Sequence, residues 1–157
     1  LVKHRDVIFR MVRIYIETML QNKSNSQRKS ILERLIPFTT NYSVKQVSKN
    51  GLIYAVTSYI CYGNNMNAAV QSAFVKKIGW STGGVISVLN LYAIVQHAAD
   101  SANTLKKFQP LFYHALYVEK LEMMYFLIEP VIMKTGYLNL NTASDGEIAD
   151  ALNKMMQ

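Results

Sequence analysis

Residues 51–75 read GLIYAVTSYICYGNNMNAAVQSAFV, and residues 78–99 read IGWSTGGVISVLNLYAIVQHAA. The first run has 25 residues and the second has 22, and only Lys76 and Lys77 stand between these two uncharged runs. A helix needs roughly 20 apolar residues to cross a bilayer, so each run is long enough. Each run also carries polar side chains, which rarely face lipid. The stretch 51–99 is therefore either the buried centre of a helical bundle or a hairpin that can enter a membrane.

The composition is that of a globular chain with a sizeable core. Half of the 157 residues are hydrophobic and 17% are charged, whereas globular domains carry about 25% charged residues. A chain of this length buries about two thirds of the surface that it exposes when unfolded. We therefore expect residues 1–157 to form a single helical domain. The first residue is Leu1 rather than Met, which leaves open that the domain is excised from a longer chain; no secretory signal peptide is visible, and the compartment is unknown.

Apolar residues recur at helical spacing along nearly the whole chain, which predicts an all-α bundle of six or seven helices. The predicted helices cover residues 3–22, 25–36, 44–62, 66–78, 83–107, 110–129 and 145–156. Three of them begin with a Ser that is followed three residues later by Gln or Glu, as in a capping box: Ser24, Ser43 and Ser144. Because 44–62 and 83–107 are strongly apolar, we expect these two helices to lie at the centre of the bundle.

The predicted helix 110–129 carries the most prominent acids in an apolar setting. In a continuous helix Glu122, Tyr125 and Glu129 share one face, with about 10 Å between the two acids at 1.5 Å rise per residue. Such acids are costly to bury unless they are paired. The two acids could act in acid/base chemistry or bind a metal. The chain also has many basic and tyrosine side chains that could pair with them, which favours a structural role. His97 and Asp100 complete the candidate polar core or interface, since their spacing lets them meet on one helix face.

No pattern of catalytic or cofactor-binding residues stands out. The three histidines do not fall at metal-ligand spacing, and no glycine pattern of a phosphate-binding loop occurs. A catalytic triad built on His97 and Asp100 lacks a suitably placed nucleophile. The single cysteine, Cys61, lies in an apolar run and is interpreted as an inert core thiol. We therefore expect a protein that is not an enzyme and has no cofactor or metal.

The positive charge is concentrated near the N-terminal end. Residues 1–50 hold ten basic and three acidic side chains, a balance equal to the net charge of +7 of the whole chain. The candidate basic surface consists of Lys3, Arg10, Arg13, Arg28, Lys29 and Arg34. Ion pairs at helical spacing are expected between Asp6 and Arg10 and between Arg13 and Glu17. Charge alone supports only weak, salt-sensitive binding to nucleic acid, and no motif for it is present, so we do not expect that partner.

Two functional hypotheses remain. The first is a non-enzymatic protein-interaction module, a helical bundle that binds a protein partner or a second copy of itself. The alternative is a membrane-inserting module in which the uncharged hairpin 51–99 enters an anionic membrane, with Lys76 and Lys77 at the hairpin tip. In outline, this alternative resembles the pore-forming bacterial toxins of the colicin type, which hide an apolar hairpin inside a helical bundle. The resemblance is one of architecture, without a shared motif, and it implies pore formation.

Overall fold

In the computed structural model, which describes residues 4–38, 48–73 and 88–157, one helix follows another along the chain. The α-helices are α1 (His4–Leu20), α2 (Asn25–Glu33), α3 (Lys49–Cys61), α4 (Asn64–Ser72), α5 (Val88–Phe108), α6 (Pro110–Val118), α7 (Glu129–Ile132) and α8 (Asp145–Met156). Short 3-10 helices occur at Ile36–Phe38, Glu122–Leu127 and Met133–Thr135. No strand occurs within the described ranges, and the predicted all-α bundle is confirmed. None of the helices described there is both long and apolar enough to span a bilayer.

Helix α1 is the helix that the others surround. Between Met11 and Leu20 its side chains are buried on nearly every side, and only Arg13 and Glu17 are partly exposed. A helix buried in this way needs neighbours around its whole circumference. Helices α3 and α6 and the 3-10 helix that follows α6 supply them. The centre of the bundle is therefore α1, whereas the sequence analysis had placed 44–62 and 83–107 there.

The two helices predicted at the centre, α3 and α5, differ in how far they are buried. Helix α3 contributes a buried side that consists of Leu52, Ile53, Val56, Thr57 and Ile60. The prediction of a central helix at 83–107 is wrong for the first half of α5. Three apolar residues there are exposed, Leu91 by 51%, Tyr92 by 73% and Val95 by 58%. We call these three residues the outer stripe.

The length of α5 explains why Leu91 and Val95 of the outer stripe are exposed. Leu91 and Val95 continue, at helical spacing, the face on which Ala98 and Ala102 are buried. That face packs against α6 and Glu122–Leu127. At 1.5 Å per residue, α5 is about 30 Å long and α6 only about 14 Å. The first half of α5 therefore extends beyond the helices that cover its second half.

The helix predicted over 110–129 ends at the close of α6. Lys120 has a φ of 59°, in the left-handed region. The Leu121 N–H donates to the carbonyl of Leu116 at 2.9 Å, and the Lys120 N–H donates to that of Tyr117 at 3.0 Å. These two bonds define a Schellman motif, which ends a helix by satisfying its last carbonyls. Glycine usually occupies the left-handed position, so a lysine there gives no local signal that the helix stops.

Of the three serines predicted to begin helices, two do so in the structure. Ser24 and Ser144 each accept a hydrogen bond from the backbone N–H three residues on, at 3.2 and 3.1 Å, and begin α2 and α8 as predicted. Helix α3 begins later than predicted, because Ser48 caps it by accepting from the Gly51 N–H at 3.1 Å. The predicted cap Ser43 lies outside the described residues.

A single amide side chain joins α8 to the end of α2. Asn153 accepts a hydrogen bond from the Ile36 N–H at 3.0 Å and donates one to the Arg34 carbonyl at 2.9 Å. Lys23, just before α2, forms an ion pair with Asp145 at 3.3 Å. The Asn153 amide therefore satisfies an open carbonyl at the end of α2 and an open N–H at the start of the 3-10 helix Ile36–Phe38.

Replacement of Asn153 by Ala should lower the free energy of unfolding by about 1 kcal/mol, because two hydrogen bonds to backbone groups are lost. Asn153→Asp keeps the acceptor for the Ile36 N–H, so its free energy of unfolding should lie between that of the unchanged protein and that of Asn153→Ala. The measurement is urea denaturation followed by circular dichroism, with Lys154→Ala as the control on the same helix. Equal stability of Asn153→Ala and the control would show that the amide does not hold the two helices together.

Candidate functional site

A column of aromatic rings runs through the interior of the bundle. The ring of Tyr15 on α1 packs against Phe112 on α6, with 4.8 Å between centroids. Phe112 meets Tyr125 edge-on at 5.9 Å. The hydroxyl oxygens of Tyr125 and Tyr137 are 3.2 Å apart and share a hydrogen bond. The column therefore ties α1, α6, the 3-10 helix Glu122–Leu127 and the segment before α8 to one another.

The environment of the column keeps its phenols neutral. Burial raises the pKa of Tyr125 above its ordinary value, and the hydrogen bond with Tyr137 and the negative charge of Glu129 raise it further. Burial also raises the pKa of Tyr15 and of Tyr137. The three hydroxyls are therefore protonated at neutral pH, and those of Tyr125 and Tyr137 act as hydrogen-bonding groups rather than as bases. The Tyr15 hydroxyl has no hydrogen-bond partner within the part of the chain that the structure describes.

The structure brings together two of the five residues predicted for the polar core. Glu129 lies close enough for its negative charge to raise the pKa of both Tyr125 and Tyr137. Glu122 lies on the 3-10 helix, and its Oε2 is buried without a hydrogen-bond partner among the described residues. The prediction that Glu122 and Glu129 share one face of a continuous helix is wrong, because the left-handed Lys120 and the 3-10 helix interrupt that helix.

The other two predicted residues lie on α5. His97 packs edge-on against Phe126, with 5.7 Å between the ring centroids. Asp100 is exposed and accepts a hydrogen bond from Gln96 at 3.0 Å. Both residues are thus engaged in ordinary packing and surface contacts, outside the aromatic column.

The described residues include neither a cluster of metal-binding side chains nor an activated thiol. Within residues 4–38, 48–73 and 88–157, no group of three His, Cys, Asp or Glu side chains could bind a metal ion together. Burial raises the pKa of the Cys61 thiol to about 12. Since the thiolate is the reactive form of cysteine, Cys61 is a poor nucleophile at neutral pH. The thiol is half-buried and packs against the core rather than within it.

The predicted basic surface is partly neutralised on α1. Arg10 Nε donates to both carboxylate oxygens of Glu119, at 3.0 and 3.1 Å, and this hydrogen bonding raises the pKa of Arg10. The predicted pairing of Arg10 with Asp6 is therefore wrong, because Glu119 on α6 takes its place. Arg13 and Glu17 form the predicted ion pair at 3.0 Å.

The other described members of the predicted basic surface lie on α2 or directly after it. Arg28 donates to the carbonyl of Lys23 at 2.6 Å and to the side chain of Asn25. Lys29 and Arg34 are exposed. Outside the described residues lie Lys3, Lys76 and Lys77. The predicted hairpin tip therefore lies outside the residues that the structure describes.

Comparison with known proteins adds no family. No family model matches the chain, and neither a curated protein nor a solved structure matches it. The function proposed below is therefore argued from the geometry of the chain itself.

The column predicts opposite effects for two Tyr→Phe changes. Tyr125→Phe removes the hydrogen bond to Tyr137 and should lower the free energy of unfolding by about 0.5–1.5 kcal/mol. Tyr15→Phe removes a buried hydroxyl without a partner and should be neutral or stabilising by about 1 kcal/mol. Urea denaturation of the two variants beside the unchanged protein measures both effects. A stability loss in Tyr15→Phe as large as that in Tyr125→Phe would contradict the assigned contacts.

The same phenols predict sensitivity to alkali. Their pKa values in the folded protein lie above about 10, the ordinary value for tyrosine. Their contribution to stability is thus complete below about pH 10 and is lost as the pH rises further, because the unfolded chain releases its protons first. Thermal melts at increasing alkaline pH should show a decline in Tm that is weaker in a Tyr15→Phe/Tyr125→Phe variant. An identical decline in that variant would assign the alkaline loss to other groups.

Proposed function

We propose that the protein is a non-enzymatic interaction module whose helical bundle binds a protein partner through the outer stripe of α5, Leu91, Tyr92 and Val95. The observation that carries this proposal is the exposure of three neighbouring large apolar side chains, of which Leu91 and Val95 continue a buried helix face and Tyr92 lies beside them. Contiguous exposed apolar patches in globular proteins commonly mark interaction sites.

The chemistry of the outer stripe supports a protein as its partner. Tyrosine is among the residues that most often dominate the binding energy of protein interfaces, and Tyr92 is the most exposed of the three side chains. The cores of interfaces are also poor in charged residues. No Asp, Glu, Lys or Arg occurs on α5 before Asp100. The stripe therefore combines an aromatic anchor, flanking aliphatic side chains and uncharged neighbours along α5.

The packing of α3 supports a module that binds with its helices in place. The buried side of α3 forms part of the core beside α1. In the membrane-inserting alternative, the hairpin 51–99 would have to remove this side from the core, at the cost of the apolar burial it provides. The alternative nevertheless predicts a distinct result, the release of dye from anionic vesicles, which serves as one outcome of the test.

Site-specific photo-crosslinking in the native host cell tests the proposal. A photo-reactive phenylalanine in place of Tyr92 should yield a discrete adduct with a protein partner, and Leu91→Asp should reduce that adduct because a charge enters the contact. The same probe in place of Asn103, an exposed α5 residue outside the stripe, is the matched control. Equal adducts from both positions, no adduct from position 92, or dye release from anionic vesicles by the purified protein would contradict the proposal.

The stability of variants provides an independent check of the exposed stripe. Leu91→Ser and Val95→Ser should change the free energy of unfolding by about 0.5 kcal/mol or less, as exposed positions usually do. Leu105→Ala on the same helix should cost about 2–5 kcal/mol, because Leu105 is fully buried. Denaturant titrations of the three variants measure the contrast. A loss at Leu91 or Val95 comparable to that at Leu105 would mean that the stripe is already covered within the protein.

A further inference from the structure

Helix α6 presents a second apolar surface, separate from the outer stripe. Its inner side is formed by the buried Phe112 and Leu116. On the opposite side Leu111 is exposed by 39%, Tyr117 by 56% and Val118 by 72%. The exposed Pro110 and His114 complete this side. We call the five exposed residues the α6 face; His114 is its one polar member.

Lysines stand at both ends of the α6 face. The ammonium of Lys106 lies over the ring of Tyr113 at 5.7 Å, and that ring stacks on Tyr117 with 6.0 Å between centroids. Lys107 lies over the ring of Phe108 at 5.5 Å. Lys120 is exposed directly after α6. The two cation–π contacts hold the first two lysines beside aromatic rings.

The charge of these lysines is not offset by nearby ion pairs. The ion pairs found among the described residues are Arg10–Glu119, Arg13–Glu17 and Lys23–Asp145, so none includes Lys106, Lys107 or Lys120. Glu119, the acid at the end of α6, is bound to Arg10. The rim of the α6 face is therefore positively charged, in contrast to the uncharged surroundings of the outer stripe.

We propose that the α6 face adsorbs to the surface of an anionic lipid bilayer, with the bundle intact. In this arrangement Leu111 and Val118 enter the boundary between headgroups and acyl chains, where apolar side chains of surface-bound helices lie. Tyr117 lies at headgroup level, the depth that tyrosine prefers. The lysines at the rim attract the anionic headgroups, as basic clusters at membrane surfaces do. The proposal adds a second binding surface and does not depend on the partner proposed for the outer stripe.

Charge and ring packing favour a membrane over the other anionic partners. Lysine is depleted in protein interfaces, so a lysine rim around an apolar face fits a lipid surface better than the core of a protein contact. Single-stranded nucleic acid needs open aromatic rings on which its bases can stack. The ring of Tyr113 already contacts Lys106 and Tyr117, so it does not present such an open platform.

Co-sedimentation with vesicles tests the proposal. The protein should sediment with vesicles of phosphatidylcholine and phosphatidylserine in about a 2:1 ratio, should stay in solution with phosphatidylcholine alone, and should be released by salt. Tyr117→Ser/Val118→Ser should lower the bound fraction about fivefold or more. Lys106→Gln/Lys107→Gln should do the same at low salt. Lys29→Gln/Lys154→Gln removes the same charge from other exposed sites and should change the bound fraction less than about twofold.

A fluorescent label distinguishes the α6 face from the outer stripe. Cys61 is the single cysteine, so Cys61→Ser allows one new cysteine at a time to carry an environment-sensitive dye. The dye at Val118→Cys should shift to the blue on anionic vesicles, and the dye at Tyr92→Cys should not. Circular dichroism of the unlabelled variants confirms that each retains its helices.

Four results would overturn the proposal. The first is an absence of sedimentation with the anionic vesicles. The second is equal weakening by both lysine pairs, which would make the binding a matter of net charge alone. The third is a blue shift at position 92 without one at position 118. The fourth is a Tyr117-dependent complex with a single-stranded oligonucleotide that displaces the protein from vesicles, which would assign the α6 face to nucleic acid.

Discussion

The burial of α1 on nearly all sides is the constraint on which the rest of the structure depends. Because Met11 to Leu20 present apolar side chains in almost every direction, α3, α6 and the 3-10 helix after it must all approach the same helix. The left-handed turn at Lys120 makes this approach possible, since it turns the chain back after α6. Tyr125 can then reach Phe112, which itself packs on Tyr15 of α1.

The exposed apolar surfaces follow from the same arrangement. Helix α5 packs on α6 and on Glu122–Leu127 rather than on α1, and it is longer than the helices that cover it. The first half of α5 therefore has an uncovered apolar face. Helix α6 packs one side into the core and exposes the other. The two surfaces differ in charge, because the outer stripe has uncharged neighbours along α5 and the α6 face has a rim of lysines. That difference is the physical basis for proposing a protein partner for the first surface and an anionic bilayer for the second.

Local sequence signals predicted the parts of the fold that depend on local interactions. The helical period predicted the all-α class, and the serine caps gave the starts of α2 and α8. The long-range arrangement gave no such signal. Apolar content suggested that 83–107 is central, but burial depends on which neighbours are long enough to cover a helix. The break at Lys120 was missed because a Schellman motif with lysine looks like continuous helix.

The candidate site was predicted in part for the same reason. Tyr125 and Glu129 stood out because a polar group in an apolar helix needs a partner. Their partners could not be read from the sequence. Tyr15 resembles any other apolar position of the first helix, and Tyr137 lies in a polar segment, so only the folded chain brings their rings to Tyr125. The ion pair of Arg10 with Glu119 joins residues 109 positions apart. The sequence did not indicate it, because Asp6 is an acid at helical spacing from Arg10.

Amide hydrogen exchange of the intact protein, followed by mass spectrometry, tests the central claim most directly. If α1 is the buried centre, its amides should be the slowest to exchange and should do so only with global unfolding, whereas those of residues 91–95 should exchange faster through local opening of the uncovered half of α5. Protection of residues 91–95 equal to or greater than that of α1 would place the centre of the bundle at α5 and contradict the structure described above.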